Sequence, residues 1–316
     1  MSISGKVALL KRWGKMASGK NRVAVKQGCG RCYSKTEIAG YYNDLTGKVN
    51  PETLLDENGI PINIIEGNKE VYFPISIFQY ALGLWDLYLL EKSEEKKTQF
   101  IVICKWITDH QSEDGSWNCF GPIGYKSMTV SSMGQGEAIS VLLRAYLISK
   151  DDLWLNAAQS AVEFMITDLN NGGTLRIEDD DIVFEEYADL EGSKKSVLNG
   201  WIFSLFGVYD YLKIKNDNKI RKIYNNSLNT LKRNLSCYDC GYWSLYDRTG
   251  RIASPAYHDL HIELLTVLSD ISGDDTFMTF AEKWKNYQKK KLKRFHAITK
   301  KVFQKFGEST EGILVK

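Results

Sequence analysis

From residue 74 onward, long apolar stretches alternate with stretches in which apolar and charged residues mix. Residues 75–90, 138–147, 197–212 and 260–267 are the apolar ones, with helical spacing of their large side chains; 95–111, 217–234 and 274–291 carry more charge. An apolar segment and its successor form a pair, and the pairs open near Pro74, Ser131, Lys195 and Tyr257, at intervals of 57, 64 and 62 residues. This repeat predicts a mainly α protein. Four helical hairpins over residues 73–295 would make an α/α barrel, with the apolar members inside around a cleft and the charged members facing water. The connectors at 111–117, 170–174 and 240–244 are rich in Gly, Asn, Asp and Ser, so each predicts a tight turn leading back to an inner helix. The connectors then gather at one end, where a ligand would bind.

Outside the repeat the pattern weakens. Residues 1–36 are basic and aperiodic, which predicts an extended arm, and Asn58-Gly59 between short apolar runs predicts a small β-hairpin region within 37–72. Residues 296–316 read as a basic C-terminal extension, and the Lys-rich run 283–305 as the solvated face of the last helix or an electropositive rim for an acidic polysaccharide. The Q-x-x-D-G-S-W stretch 111–117 resembles an element of terpene-cyclase-type toroids and is read as a shared structural turn, since the acidic catalytic motif of those enzymes is not evident.

Composition narrows the function. In 316 residues, 41 basic against 39 acidic side chains leave a net charge of +2, which argues against a nucleic-acid-wrapping surface. No stretch approaches the ~20 apolar residues of a membrane span, and the first thirty lack a signal-peptide pattern, so the expectation is a cytoplasmic protein without cofactor or metal. Two C-x-x-C pairs, Cys29/Cys32 and Cys237/Cys240, could build a four-thiolate zinc site only if the fold joined them; reduced thiols are the simpler reading, because zinc knuckles usually lie ~15–20 residues apart.

Three tyrosines fall on the connectors at the predicted ligand end: Tyr187 after Glu185-Glu186, Tyr246 in Leu245-Tyr246-Asp247-Arg248, and Tyr257 before His258. A tyrosine ring can lie against a sugar face while its hydroxyl moves a proton. A single such tyrosine is more often a packing residue; three at one end of a repeat point to chemistry. Glu186 beside Tyr187 would accept a proton or orient the ring. His258 and His261 share a helix face and read as substrate contacts or as satisfied core histidines.

The segments 72–80, 132–140 with 143–146, 185–187, 197–200, 245–247 and 257–262 together resemble the C-terminal catalytic domain of D-glucuronyl C5-epimerases, the enzymes that modify heparan sulfate and heparosan, over roughly residues 70–290. The resemblance implies that Tyr187, Tyr246 and Tyr257 stand at the catalytic tyrosines with Glu186 beside the first. It implies that Asn199 binds substrate, and that Gln79, Tyr80 and Gln135 lie in motifs bordering the cleft. The family's arginine three residues after the middle tyrosine is replaced by Thr249, leaving Arg248 and Arg251 as candidates for the sugar carboxylate. An aromatic pair of the family is Thr129-Val130 here, and the 246–257 connector is shorter. The β-domain and signal anchor of the animal enzymes have no counterpart in these residues, so a bacterial or archaeal glycan is expected.

The implied activity is inversion of D-glucuronate to L-iduronate at C5 of an acidic glycan, and the family's dimers imply a homodimer. Removing a proton beside a carboxylate requires neutralisation of that group, by Arg248, Arg251, His258 or His261 with donors such as Asn199, and a base on each ring face. A tyrosinate base needs a pKa lowered from ~10 by cationic neighbours. Tyr187 and Tyr257 would flank C5, with Tyr246 supporting the relay. Two alternatives share these residues: a uronate polysaccharide lyase, which starts with the same proton abstraction, and a non-catalytic glycan-binding relative.

Overall fold

The structure is a computed structural model that describes residues 25–65, 67–127, 129–188 and 195–307. Residues 1–24 of the expected arm and 308–316 of the expected extension lie outside the described residues. Helices dominate, in chain order α1 (Pro74–Glu91), α2 (Glu94–Asp109), α3 (Ser132–Ser149), α4 (Asp152–Met165), α5 (Leu198–Ile214), α6 (Asn218–Asn234), α7 (Pro255–Ser272), α8 (Asp275–Lys289) and α9 (Lys291–Gly307).

Local chemistry sets where these helices begin. Proline opens α1 and α7, where its missing N–H costs nothing. Side chains of Ser93, Ser131, Asp217 and Ser254 each accept a bond from a backbone N–H in the first turn of the helix they precede. The expected starts at 74, 131 and 257 thus lie within three residues of the observed ones, and the start expected at Lys195 falls at Leu198.

The expected pairing holds: α1 with α2, α3 with α4, α5 with α6 and α7 with α8. The first member of each pair is the buried one. In α3, every residue from Ser132 to Ala145 is buried, whereas in α6 only Ile220, Tyr224, Ser227, Thr230 and Leu231 are. α3 and α5 meet backbone to backbone: a methyl group on Gly207 would stand 2.4 Å from Gly136 Cα, so both must be glycine. Next to that crossing, the Ser204 hydroxyl donates to Ser132 Oγ at 2.8 Å.

Two short hairpins complete the fold. β1 (Asn63–Ile65) pairs antiparallel with β2 (Lys69–Val71) within 37–72, but not about the expected turn: Asn58-Gly59 closes only an isolated bridge between Leu55 and Pro61. The second, β3 (Leu175–Glu178) with β4 (Asp181–Phe184), lies in the connector between α4 and α5. Its Glu178–Asp181 register leaves a two-residue turn, with Asp179 at φ 51°.

The described part of the N-terminal arm is non-helical, as expected, but it is folded inward. Residues 28–45 touch the C-terminal half of all four inner helices. Cys29 N–H donates to Glu263 of α7 at 3.2 Å and the Tyr33 hydroxyl to Asp270 of α7 at 2.8 Å. Tyr41 N–H donates to Asp86 of α1 at 2.8 Å, Arg144 of α3 to the Gly40 carbonyl at 2.9 Å, and the Tyr42 hydroxyl to Asp210 of α5 at 2.6 Å. At the centre Arg144 and Asp210, both fully buried, form an ion pair at 2.6 Å. The segment therefore bridges the first and last inner helices and fills the end opposite the 185–187 and 246–257 connectors.

Candidate active site

β4 ends at Phe184, so its continuation carries Glu185, Glu186 and Tyr187 straight to the N-terminal end of α5. The two glutamates part company there. Glu185 is structural: it accepts from Arg176 Nε at 2.8 Å and from Ser196 N–H at 2.9 Å, tying the hairpin to the start of α5. Glu186 turns inward against Gly200, on which a methyl group would stand 2.3 Å from Glu186 Oε2. Burial, only partly offset by Arg251 and a hydrogen-bonding contact from Tyr187, pushes the Glu186 carboxyl up to about 7.

The three tyrosines converge beside it. Tyr187 stacks on Phe120 at 4.9 Å and 16°, with Lys195 Nζ 5.3 Å from its ring centroid. Tyr246 and Tyr257 meet edge to face at 4.9 Å. Their hydroxyls make a row: Tyr187 interacts with Glu186, Tyr246 with Tyr187, and Tyr257 with Tyr246. Tyr257 is 41% exposed although surrounding protein dominates its proton affinity, so it stands on the wall of a cleft open to water.

Electrostatics correct one expectation. Burial first, and the Glu186 charge second, push Tyr187 and Tyr246 well above the ordinary tyrosine value and Tyr257 up to about 12. None of the three is a ready tyrosinate. Among the catalytic candidates, Glu186 is the one whose proton affinity lies near neutrality.

The two arginines separate. Arg251 lies 5.0 Å from the Tyr246 ring centroid and is ion-paired with the buried Asp247. Arg248 leans the other way, toward Asp181 on β4 at 3.8 Å. Arg251 therefore belongs to the tyrosine cluster. Its loop is clamped from α9, where Gln304 accepts from Ile252 N–H at 2.8 Å and donates to the Gly250 carbonyl at 3.0 Å.

Asn199, in the first turn of α5, reaches Met133 Sδ at 3.8 Å from inside the cleft wall. Gln79 donates to Glu137 of α3 at 2.9 Å. Other candidates point elsewhere. His258 stacks on Trp243 at 3.6 Å, with Nδ1 2.7 Å from Ser244 Oγ and Nε2 3.1 Å from the Trp284 carbonyl. His261 shares that serine at 3.1 Å. Burial pushes both imidazoles down to about 3, so they are neutral core groups packed against α8 and cannot meet a carboxylate as cations. Tyr80 turns outward, its hydroxyl accepting from Gln99 of α2 at 3.1 Å. Gln135 likewise is committed to the backbone, donating to the Gly115 carbonyl at 3.0 Å and to Ala161 at 3.3 Å.

The cysteine pairs stay apart. Cys29 contacts Glu263 at 2.9 Å and Cys240 the Trp243 carbonyl at 3.2 Å. Among the described residues no group of three or more His, Cys, Asp or Glu side chains is placed to hold a metal ion. Nor is any described helix long and apolar enough to cross a membrane. Glu137 was missed by sequence reasoning: it lies wholly buried in α3, pushed up to about 8 by burial, with the Glu186 charge adding to the rise.

Fold and site together define a helical-hairpin protein with a tyrosine–carboxylate cleft at the N-terminal ends of its inner helices. Residues 116–286 match the model of the D-glucuronyl C5-epimerase C-terminus, more than half of the chain, and the chain belongs to that family. It is 27% identical over 225 residues to the D-glucuronyl C5-epimerase of Caenorhabditis elegans, which covers 63% of this chain and 36% of that protein. It is 28% identical over 155 residues to an uncharacterized protein of Methanocaldococcus jannaschii, 48% of this chain and 50% of the other. The chain thus spans half or less of the length of these curated relatives.

Proposed function

We propose that this protein inverts C5 of D-glucuronate residues in a glycan, giving L-iduronate. The observation that carries the reading is the row Glu186, Tyr187, Tyr246, Tyr257 with Arg251 against its middle member. Tyr187 takes the C5 proton as its own hydroxyl proton passes to Glu186. The C–H electron pair moves onto the adjoining carboxylate as an enolate, whose added charge Arg251 offsets. Tyr257 then delivers its hydroxyl proton to the opposite face of C5, and the electron pair returns to form the new C–H bond. The tyrosinate left at Tyr257 is restored through Tyr246 and Tyr187 with the proton held by Glu186. Such a relay lets tyrosines of high proton affinity serve as bases, because none carries a full negative charge while waiting for substrate.

The test is incubation with a panel of glucuronate-containing polymers in deuterated water, followed by proton NMR. Deuterium at C5 with iduronate signals is the expected outcome. New ultraviolet absorbance from unsaturated chain ends would show a lyase instead. Binding without either change would leave a glycan-binding protein, as would unchanged turnover in Tyr187→Phe remove the relay.

A further inference from the structure

Three buried acceptor atoms of the cleft wall have no hydrogen-bond partner among the described residues: Glu137 Oε2, Glu186 Oε2 and Asn199 Oδ1. Orphaned buried acceptors are costly, and a fold that keeps several together keeps them for a ligand that brings donors. Glu186 and Asn199 belong to the site already described. Glu137 does not, and it is fully buried.

Its placement is set by α3. Met133, which touches Asn199, lies four residues before Glu137 and so on the same helix face, one turn nearer the cleft mouth. Glu137 Oε1 is fixed by the Gln79 amide from α1, which leaves Oε2 as the oxygen without a partner. Lys48, in the turn that follows residues 28–45, interacts with the Glu137 charge. An anionic group is disfavoured here because the Glu186 charge already bears on Glu137. A neutral hydroxyl edge, which can both donate and accept, fits.

We propose that Glu137 is a substrate-binding residue whose Oε2 hydrogen-bonds a ring hydroxyl of the sugar acid, on the deep wall of the cleft. This rests on the epimerase reading for the identity of the sugar, and it orients that sugar: hydroxyl edge toward Glu137 and Gln79, carboxylate toward Arg251. Gln79 acts as a positioning residue, holding the glutamate in place.

The test compares wild type, Glu137→Gln and Glu137→Leu for equilibrium binding of a glucuronate–N-acetylglucosamine hexasaccharide. Glutamine keeps a hydrogen-bonding group at the Oε2 position and is expected to bind within about threefold of wild type; leucine is expected to weaken binding by about tenfold, the loss typical of a buried hydrogen bond whose partner is left unsatisfied. Thermal unfolding of Glu137→Leu should stay close to wild type, since removal of a buried carboxyl with one oxygen unpartnered is offset by the Gln79 amide left without its acceptor; this separates a binding role from a structural one. Unchanged affinity in Glu137→Leu, a wild type that does not bind the hexasaccharide, or a leucine variant that loses stability along with affinity would each overturn the proposal. Deuterium exchange in the wild type decides the epimerase reading separately, whatever the affinities show.

Discussion

The proton affinity of Glu186 makes a quantitative forecast for the pH dependence of turnover. Its carboxyl is pushed up to about 7 by burial, and in the relay it must start ionised to receive the proton that leaves Tyr187. A raised carboxyl is ionised only above its pKa, so activity should climb as pH rises through about 7. With that midpoint the ionised share goes from roughly one-tenth at pH 6 to roughly nine-tenths at pH 8, a gain of about ninefold, whereas an ordinary glutamate near ~4.3 would give a flat profile. Of the neighbours, the tyrosines titrate far higher and His258 and His261 stay neutral with values near 3, while Glu137, pushed up to about 8, titrates inside this range and is separated by its glutamine variant. The assay is the initial rate of C5 deuterium incorporation at saturating substrate from pH 5.5 to 8.5. Glu186→Gln should lose roughly 10²–10⁴-fold in rate and lose the rise. Glu137→Gln should keep the rise with its midpoint little changed, because Glu137, pushed up to about 8, is still largely protonated where Glu186 titrates. A flat wild-type profile across this range, or a rise that survives in Glu186→Gln, would refute the role given to this carboxylate.

Two further outcomes follow from geometry. In Gly200→Ala the new methyl group would lie 2.3 Å from Glu186 Oε2 and 2.6 Å from its Cβ, so the carboxylate must move; exchange should fall by about 10²-fold with the helical circular dichroism intact. Arg144→Leu leaves Asp210 buried without its ion-pair partner, and urea unfolding should show a loss near the lower end of ~3–5 kcal/mol, because the Tyr42 hydroxyl still donates to that carboxylate. A loss under ~1 kcal/mol would contradict the buried-charge account.

The hairpin repeat was readable because inner and outer helices differ in how much charge they carry, and because Pro74, Ser131, Ser254 and Pro255 mark helix starts chemically. Glu186 and the three tyrosines were readable because they sit on connectors that the repeat sends to one end. What escaped was decided by side-chain direction. Arg248 and Arg251 lie three residues apart in one tight loop, and only the pairing of Tyr246 N–H with the Arg251 carbonyl sends one toward the tyrosines and the other toward β4. His258 and His261 do share a helix face, but α8 and Trp284 cover it. Glu137 was hidden by burial itself: α3 is enclosed on every side along most of its length, so no polar face marks a functional glutamate as out of place. Residues 28–45 have no periodicity, and nothing local to them signals that Tyr41 and Tyr42 end up fully buried between helices.

That inward-folded segment governs traffic. With Tyr41 and Tyr42 lodged between the C-terminal halves of the inner helices and Arg144 tied to the Gly40 carbonyl, the far end is plugged, and what enters at the tyrosines must leave at the tyrosines. Under the epimerase reading proposed above, a long glycan would not be threaded like a cord through a ring but would lie across a single mouth and dip in one residue at a time. Each inversion would then end with the chain lifting away, so at low conversion the altered residues of a polymer should be scattered along it rather than gathered in runs, a distribution that NMR of neighbouring residues would read directly.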